Sequence, residues 1–236
     1  QGVHIPFTCP SALDPVEVEG AGTGATITGL GIRQREVFAI TGANAEGKTS
    51  LLEAILSGED DHAAGDGREH LVTVPGVVRV DATNRDIRGG DVSRFFTSLP
   101  PGMGGTVRSA TGRGSGSLSM AFMIQEAIRR ERSVIVIDED AAAMNLLIPC
   151  SCTTEAVRPL SELVSQDRDW LGSTGLIIAG SAMEMLIARC DRILQLSGHQ
   201  AEAIPPDQYR RELSAFYTRM GRILSDAGED SDQTAA

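Results

Sequence analysis

The sequence predicts an α/β domain built on a mainly parallel sheet, and three features carry that prediction. Short β-branched or apolar runs alternate with stretches of helical spacing along most of the chain. Two of those runs, residues 134–137 and 175–180, are apolar almost throughout, as strands covered on both faces are. A glycine-containing turn at residues 42–49 stands between a strand pattern and a helix pattern, at the kind of edge where open α/β sheets hold ligands.

Taken in order, residues 1–20 are rich in proline and acids, with one strand-like run at 16–19. Residues 26–32 alternate apolar and polar and predict a strand, and EVFAIT at 36–41 predicts a second that ends at Gly42. TSLLEAIL at 49–56 has helical spacing, with Leu51, Leu52, Ile55 and Leu56 on one side. HAAGDGRE at 62–69 is turn-rich, and HLVTVPGVVRVD at 70–81 predicts a hairpin that turns at Pro75-Gly76. Residues 81–116 read as irregular and Gly-rich.

Residues 118–130 form an amphipathic helix pattern with Met120, Met123, Ile124, Ala127 and Ile128 on its apolar face. A buried strand at 134–137 follows, then a helix at 158–171, a second buried strand at 175–180 and a short last strand at 193–196. Beyond Pro205-Pro206 a helix carries Tyr209, Leu213, Phe216, Met220, Ile223 and Leu224. The polar, acidic residues 228–236 predict a disordered tail, and there is no internal repeat.

A chain of 236 residues is long enough for one large domain with its own core. Aromatics make up only 4% while glycine occurs 26 times, which favours tight backbone turns over an aromatic-rich binding sheet. No apolar run approaches the roughly 18 residues that cross a bilayer, so no membrane partner is expected, and no signal-peptide pattern is visible. The chain opens on Gln1 rather than Met, so it is expected to be part of a longer protein. Cys9, Cys150, Cys152 and Cys190 lack metal-site spacing and suggest a reducing, intracellular setting. A net charge of −11 excludes nucleic-acid binding by bulk charge, although a local arginine patch could still provide it. Of the 21 basic residues, Lys48 is the one lysine, and it lies in the glycine-containing turn.

That turn, Gly42-Ala43-Asn44-Ala45-Glu46-Gly47-Lys48-Thr49, fits the phosphate-binding pattern G-x-x-x-x-G-K-[ST] at every fixed position. Such a loop must bend tightly enough to aim several backbone N–H groups at phosphate oxygens, which Gly42 and Gly47 permit. The helix that follows points its positive end at the same anion, with Ser50 in its first turn. Lys48 supplies a flexible charge for the β- and γ-phosphates and Thr49 a hydroxyl for Mg²⁺. Residues 134–137 then end in Asp138 and Glu139. There Asp138 is expected to hold Mg²⁺ and Glu139 to act as the base toward an attacking water. Gly114-Ser115-Gly116-Ser117-Leu118-Ser119 precedes a helix and offers a second anion site, suited to a nucleotide held by another copy of the chain, or else a linker with a serine cap.

GANAEGKTSLLEAI, HAAGDGREHLVT, the stretch around GGDVSRFFTSLPPG, SGSLS and VIVIDEDAAAMN resemble the family of predicted ATPases of the ABC class, across roughly residues 28–200. One member of that family is a trypanosome mitochondrial protein associated with RNA editing. The resemblance implies a P-loop NTPase fold of ABC type, a mainly parallel sheet flanked by helices with a small antiparallel β subdomain. It also implies ATP, Mg²⁺ and a homodimer that sandwiches nucleotide head to tail. Ser115, Gly116 and Ser117 would then touch the partner's γ-phosphate, and residues 140–145 would connect the two sites. RNA or an RNA-processing complex is the partner class it suggests, in the cytoplasm, or in the mitochondrion for a eukaryotic member.

The implied division is a flank at 1–27, an ATPase core at 28–200, and a C-terminal helix and tail at 201–236. Three positions depart from the pattern. The 114–119 loop lacks the second glycine and the glutamine of transporter ATPases, Gly180-Ser181 stands where a switch histidine is usual, and Asp91 stands in the region of the glutamine loop.

Two other readings of the same residues remain: a nucleotide-dependent assembly module with negligible turnover, and a small-molecule kinase. Glu139 favours hydrolysis, the missing histidine favours the assembly module, and the Asp138-Glu139 pair with the 114–119 loop weakens the kinase reading. Smaller candidates are His62 and Arg68 as phosphate contacts, and Arg129, Arg130 and Arg132 as RNA contacts or a solvated helix end.

Overall fold

A computed structural model of the chain describes residues 7–19, 24, 26–58, 71, 73–151 and 156–232. A six-stranded sheet organises the molecule. Its strands are β3 (Val37–Gly42), β4 (Val77–Val80), β8 (Val134–Asp138), β9 (Gly175–Ala179), β10 (Arg192–Ser197) and β11 (Gln200–Ile204). They lie in the order β11-β10-β3-β9-β8-β4, all neighbours parallel except the antiparallel edge pair β10–β11. Two smaller antiparallel sheets flank it: β1 (Val16–Glu19) with β2 (Thr26–Gly29), and β5 (Asp86–Gly90), β7 (Ser109–Arg113) and β6 (Gly104–Thr106) in that order.

The central strands bury both faces, so each sorts its side chains by parity into two cores. Phe38, Ile40, Val136, Ile177, Leu194 and Leu196 face one core, which Leu52 of helix α1 (Lys48–Leu56) closes. Val37, Ala39, Ile135, Ile137, Leu176, Ile178 and Ile193 face the other. Leu118, Met120, Ala121 and Ile124 of helix α2 (Gly116–Arg129) fill that second core, with Ile87 and Ala110 of the small sheet and Leu146 and Leu147 of helix α3 (Met144–Leu147). The chain reaches its other helices as α4 (Leu160–Gln166), α5 (Glu184–Ile187) and α6 (Pro206–Asp232). Among the described residues no helix is long and apolar enough to cross a membrane.

The predicted α/β class with its parallel sheet and small antiparallel subdomain is the observed one, but several local expectations change. Pro75-Gly76 does bend the chain, with Gly76 at φ 93°, yet no strand precedes the bend among the described residues. β4 pairs instead with β8 in parallel, Val77 opposite Val134, because a buried strand remote in sequence offers it a partner. Residues 81–116, expected to be irregular, contain the three-stranded sheet. Its strands are too short and Gly-rich to alternate visibly, and a bulge between Arg88 and Gly90 breaks their register.

The helix expected over 158–171 is interrupted. The Asp167 carboxylate accepts the Asp169 N–H at 2.7 Å, which stops α4 at Gln166 and leaves only a 3₁₀ turn at Asp169–Leu171. The tail expected to be disordered from 228 is helical to Asp232: α6 runs through Gly221 and Gly228, and no Pro interrupts it after Pro206.

Candidate functional site

β3, buried along all six residues, delivers the chain to the glycine-containing turn at its carboxyl end. Gly42 has φ 138°, and a Cβ there would lie 2.2 Å from the Leu196 carbonyl oxygen of the neighbouring strand, so the loop can start here only as glycine. Ala45 and Gly47 also take positive φ, 65° and 97°, and complete the reversal into α1. The Lys48 Nζ donates to the carbonyls of Gly42 at 2.6 Å and Ala43 at 2.8 Å, so the ammonium is folded against the start of its own loop. Ala43, Asn44, Thr49 and Ser50 are exposed. Glu46 accepts the His199 backbone N–H at 2.9 Å, which anchors the loop to the β10–β11 turn and holds that carboxyl below its ordinary range.

The acids lie on the same edge. Register places Asp138 opposite Ala179, and Ala179 opposite Ile40 on the strand that feeds the loop. Asp138 is 8% exposed and accepts a 2.9 Å bond from Arg79. The Glu139 Oε2 accepts the backbone N–H groups of Ser181 and, at 3.0 Å, Ala182. Ser181 Oγ in turn donates to the Gly42 carbonyl at 2.9 Å. One carbonyl of the phosphate-loop pattern thus receives both Lys48 and Ser181, and through Ser181 it is linked to Glu139. A Cβ at Gly180 would lie 2.1 Å from the Glu139 Oε2, so the chain passes the carboxylate as closely as a backbone can.

Ser115, Gly116 and Ser117 lie elsewhere. Ser115 precedes α2, whose apolar face fills the core on the opposite side of the sheet from α1. A Cβ at Gly116 would lie 2.8 Å from the Ala82 carbonyl, and the Ser117 Oγ donates to the Asn145 Oδ1 at 2.8 Å. The signature-like loop and the residue run 140–145 are therefore joined to each other, while Gly42, Lys48, Asp138 and Glu139 gather around a different edge position.

These residues fit a nucleotide and a divalent cation in their donor chemistry. The loop offers backbone N–H groups, a lysine and a helix N-terminus for phosphate. Thr49 and Asp138 offer hard oxygens, the ligands Mg²⁺ takes. Among the described residues no group of three His, Cys, Asp or Glu side chains could hold a metal ion by itself.

Several smaller expectations fare differently. Asp91 is not at this edge: it follows β5 and its carboxylate accepts the Ser93 N–H at 2.8 Å. The residue that follows β4 is Asp81, next to Asp138 by sheet register, and its carboxylate accepts the Thr83 N–H at 2.8 Å. Arg129 and Arg130 both bind Glu126 on their own helix, led by Arg129, and hold that carboxyl down to about 2. His62, Arg68, the GDGRE segment and Cys152 lie outside the described residues. Sequence reasoning did not single out Arg79 or His199. The single arginine inside an apolar strand run, VVRV, was the available signal for the first.

A strand–loop–helix phosphate cradle beside an Asp-Glu pair on a parallel sheet defines a P-loop nucleotide-binding protein. The profile of the ABC_ATPase family, a P-loop domain, matches residues 1–222, and the chain belongs to that family. It is 42% identical over 220 residues to an uncharacterized protein, MJ1628, of Methanocaldococcus jannaschii, covering 92% of this chain and 49% of that protein. The chain therefore spans about half the length of this curated relative. Among solved structures it is similar in fold to cbiO1 from Clostridium perfringens, part of the ABC transporter complex cbiONQ. That likeness has a TM-score of 0.50 at 16% identity and covers 89% of this chain and 98% of that one.

Proposed function

We propose that this domain binds ATP with Mg²⁺ and hydrolyses it slowly, with closure of a head-to-tail homodimer as the work done. The observation that carries the reading is the shared Gly42 carbonyl, which ties Lys48 on one side and Ser181, and hence Glu139, on the other. Lys48 exchanges its two carbonyl partners for the β- and γ-phosphates. Glu139, fixed by two backbone N–H groups, is the acceptor for the proton of an attacking water. Thr49 and Asp138 hold the cation, which neutralises phosphate charge when bound. Ser115, Gly116 and Ser117 meet the γ-phosphate of the partner's nucleotide.

A second reading, an assembly module with negligible turnover, is favoured by one feature. The Glu139 Oε2 already accepts two N–H bonds, which leaves only the other carboxylate oxygen for a water, and Ser181 stands where a histidine is usual. RNA as a partner rests on the resemblance alone, and a net charge of −11 gives it no bulk attraction. Calorimetry of the Lys48→Ala protein tests the common core of both readings. ATP affinity should fall by roughly 10- to 100-fold, the scale of a lost charge-assisted phosphate contact. Wild-type affinity in a folded variant would overturn the assignment. Single-turnover hydrolysis by the wild type then separates the two readings.

A further inference from the structure

The acid expected to hold the cation is already occupied by an arginine of this chain. Arg79 lies near the end of β4, the edge strand beside β8. Its guanidinium forks between two acids, with one terminal nitrogen on Asp138 at 2.9 Å and the other on Glu53 at 2.8 Å. Glu53 is on α1, one helical turn beyond Thr49, so the fork ties the phosphate-loop helix to the strand that carries Asp138. The Arg79 Nε is buried with no hydrogen-bond partner among the described residues. A guanidinium so placed has lost water at Nε without gaining a bond there, an arrangement that costs stability and that function can explain.

We infer that Arg79 is a displaceable counter-ion that sets the divalent-cation affinity of this site. This inference rests on the proposed ATP–Mg²⁺ reading. Asp138, 8% exposed, would be costly as a lone buried charge, and Arg79 neutralises it. A divalent cation on the same carboxylate repels the guanidinium, which keeps Glu53, the more exposed of its two partners, and releases Asp138. Cation binding must therefore break one ion pair. Affinity is lowered by that amount, and the hold of β4 on Asp138 becomes conditional on the nucleotide's metal. Arg79 is a positioning residue in this scheme, since it touches neither phosphate nor the attacking water.

The test uses Mn²⁺ as probe, read by electron paramagnetic resonance, on the chain saturated with a non-hydrolysable ATP analogue. Arg79→Gln should bind Mn²⁺ about tenfold more tightly than wild type, the scale of removing a unit charge a few ångströms from a divalent ion in a water-like dielectric. Arg79→Lys keeps the charge but bridges one acid at a time, so its affinity should fall between the two. A purely structural arginine would give unchanged or weaker Mn²⁺ binding on removal, and either result overturns the inference. If the glutamine variant fails to fold, unchanged or weaker binding in the lysine variant overturns it equally. Asp138→Asn separates this failure from that of the underlying reading: it should abolish tight Mn²⁺ binding. Unchanged binding there would remove Asp138 from the metal site altogether, and this inference with it.

Discussion

Glu139 and Ser181 stand at the ends of adjacent parallel strands and are joined by a backbone hydrogen bond, with the Ala182 N–H completing the pair at 3.0 Å. The turn after β9 is thus a cradle for the carboxylate at the end of β8. Its shape depends on Gly180, where an added Cβ would fall 2.1 Å from the Glu139 oxygen.

Gly180→Ala should therefore push Glu139 out of its cradle while leaving the Lys48 bonds to the Gly42 and Ala43 carbonyls in place. The expected outcome is ATP affinity close to wild type and turnover lowered by about 100-fold, the lower end of what a positioned general base contributes. Glu139→Gln should lose as much or more, with binding again intact. Rapid-quench measurement of single turnovers checks both. Normal turnover in either variant would mean that solvent, or another group, positions the water.

The outline of this candidate site was legible in the sequence because a tight strand–loop–helix turn admits few residue types at its bends. Gly42 is fixed by the approach of Leu196, Gly47 by positive φ, and Lys48 by charge. Apolar runs 134–137 and 175–180 identified the central strands because strands buried on both faces are mostly apolar along their length. What the sequence hid were pairings between remote segments. Nothing local marks Arg79 as the partner of Asp138, 59 residues away, or Ser181 as the link to Gly42, 139 residues away. The small β5–β7–β6 sheet was hidden for a different reason. It buries one side chain each in β5 and β7 and none in β6, so glycine-dominated composition outweighs its weak alternation.

At the opposite end of the sheet, Arg192 and Glu36 form an ion pair at 2.5 Å with side chains only 10% and 5% exposed. Arg192 also donates to the carbonyls of Leu13 and Gly31 and lies over the Phe38 ring at 5.3 Å. Breaking a buried pair from one side leaves an uncompensated charge, so Glu36→Ala or Arg192→Ala should cost about 3–5 kcal/mol. Because the pair is at the amino ends of β3 and β10, the nucleotide affinity of whatever remains folded should not change. Urea titration gives the first quantity and calorimetry below the transition the second. A loss under about 1 kcal/mol would show that water relaxes the site.

The sandwich proposal makes the sharpest demand on the loop at 115–117. α1 and α2 cover opposite faces of the sheet, so a nucleotide on Lys48 and an anion at the start of α2 belong naturally to different chains. Gly116 is a poor place to test this, because its Cβ position lies 2.8 Å from the Ala82 carbonyl and any side chain there disturbs the segment after β4. Ser115 is exposed and extended at φ −65°, ψ 170°, so an aspartate fits without steric cost. It would even suit the helix dipole and stabilise the monomer slightly. In a Glu139→Gln background, ATP should drive dimerisation and ADP should reverse it, since only ATP carries the bridging phosphate. Adding Ser115→Asp sets a negative charge against the partner's γ-phosphate and should weaken the ATP-dependent dimer by at least about tenfold, while ATP affinity of the monomer is unchanged. Sedimentation velocity with each nucleotide reads the first effect and calorimetry at low protein concentration the second. A Glu139→Gln protein that stays monomeric with ATP, or a Ser115→Asp variant that dimerises normally, would leave the loop as no more than the cap of α2.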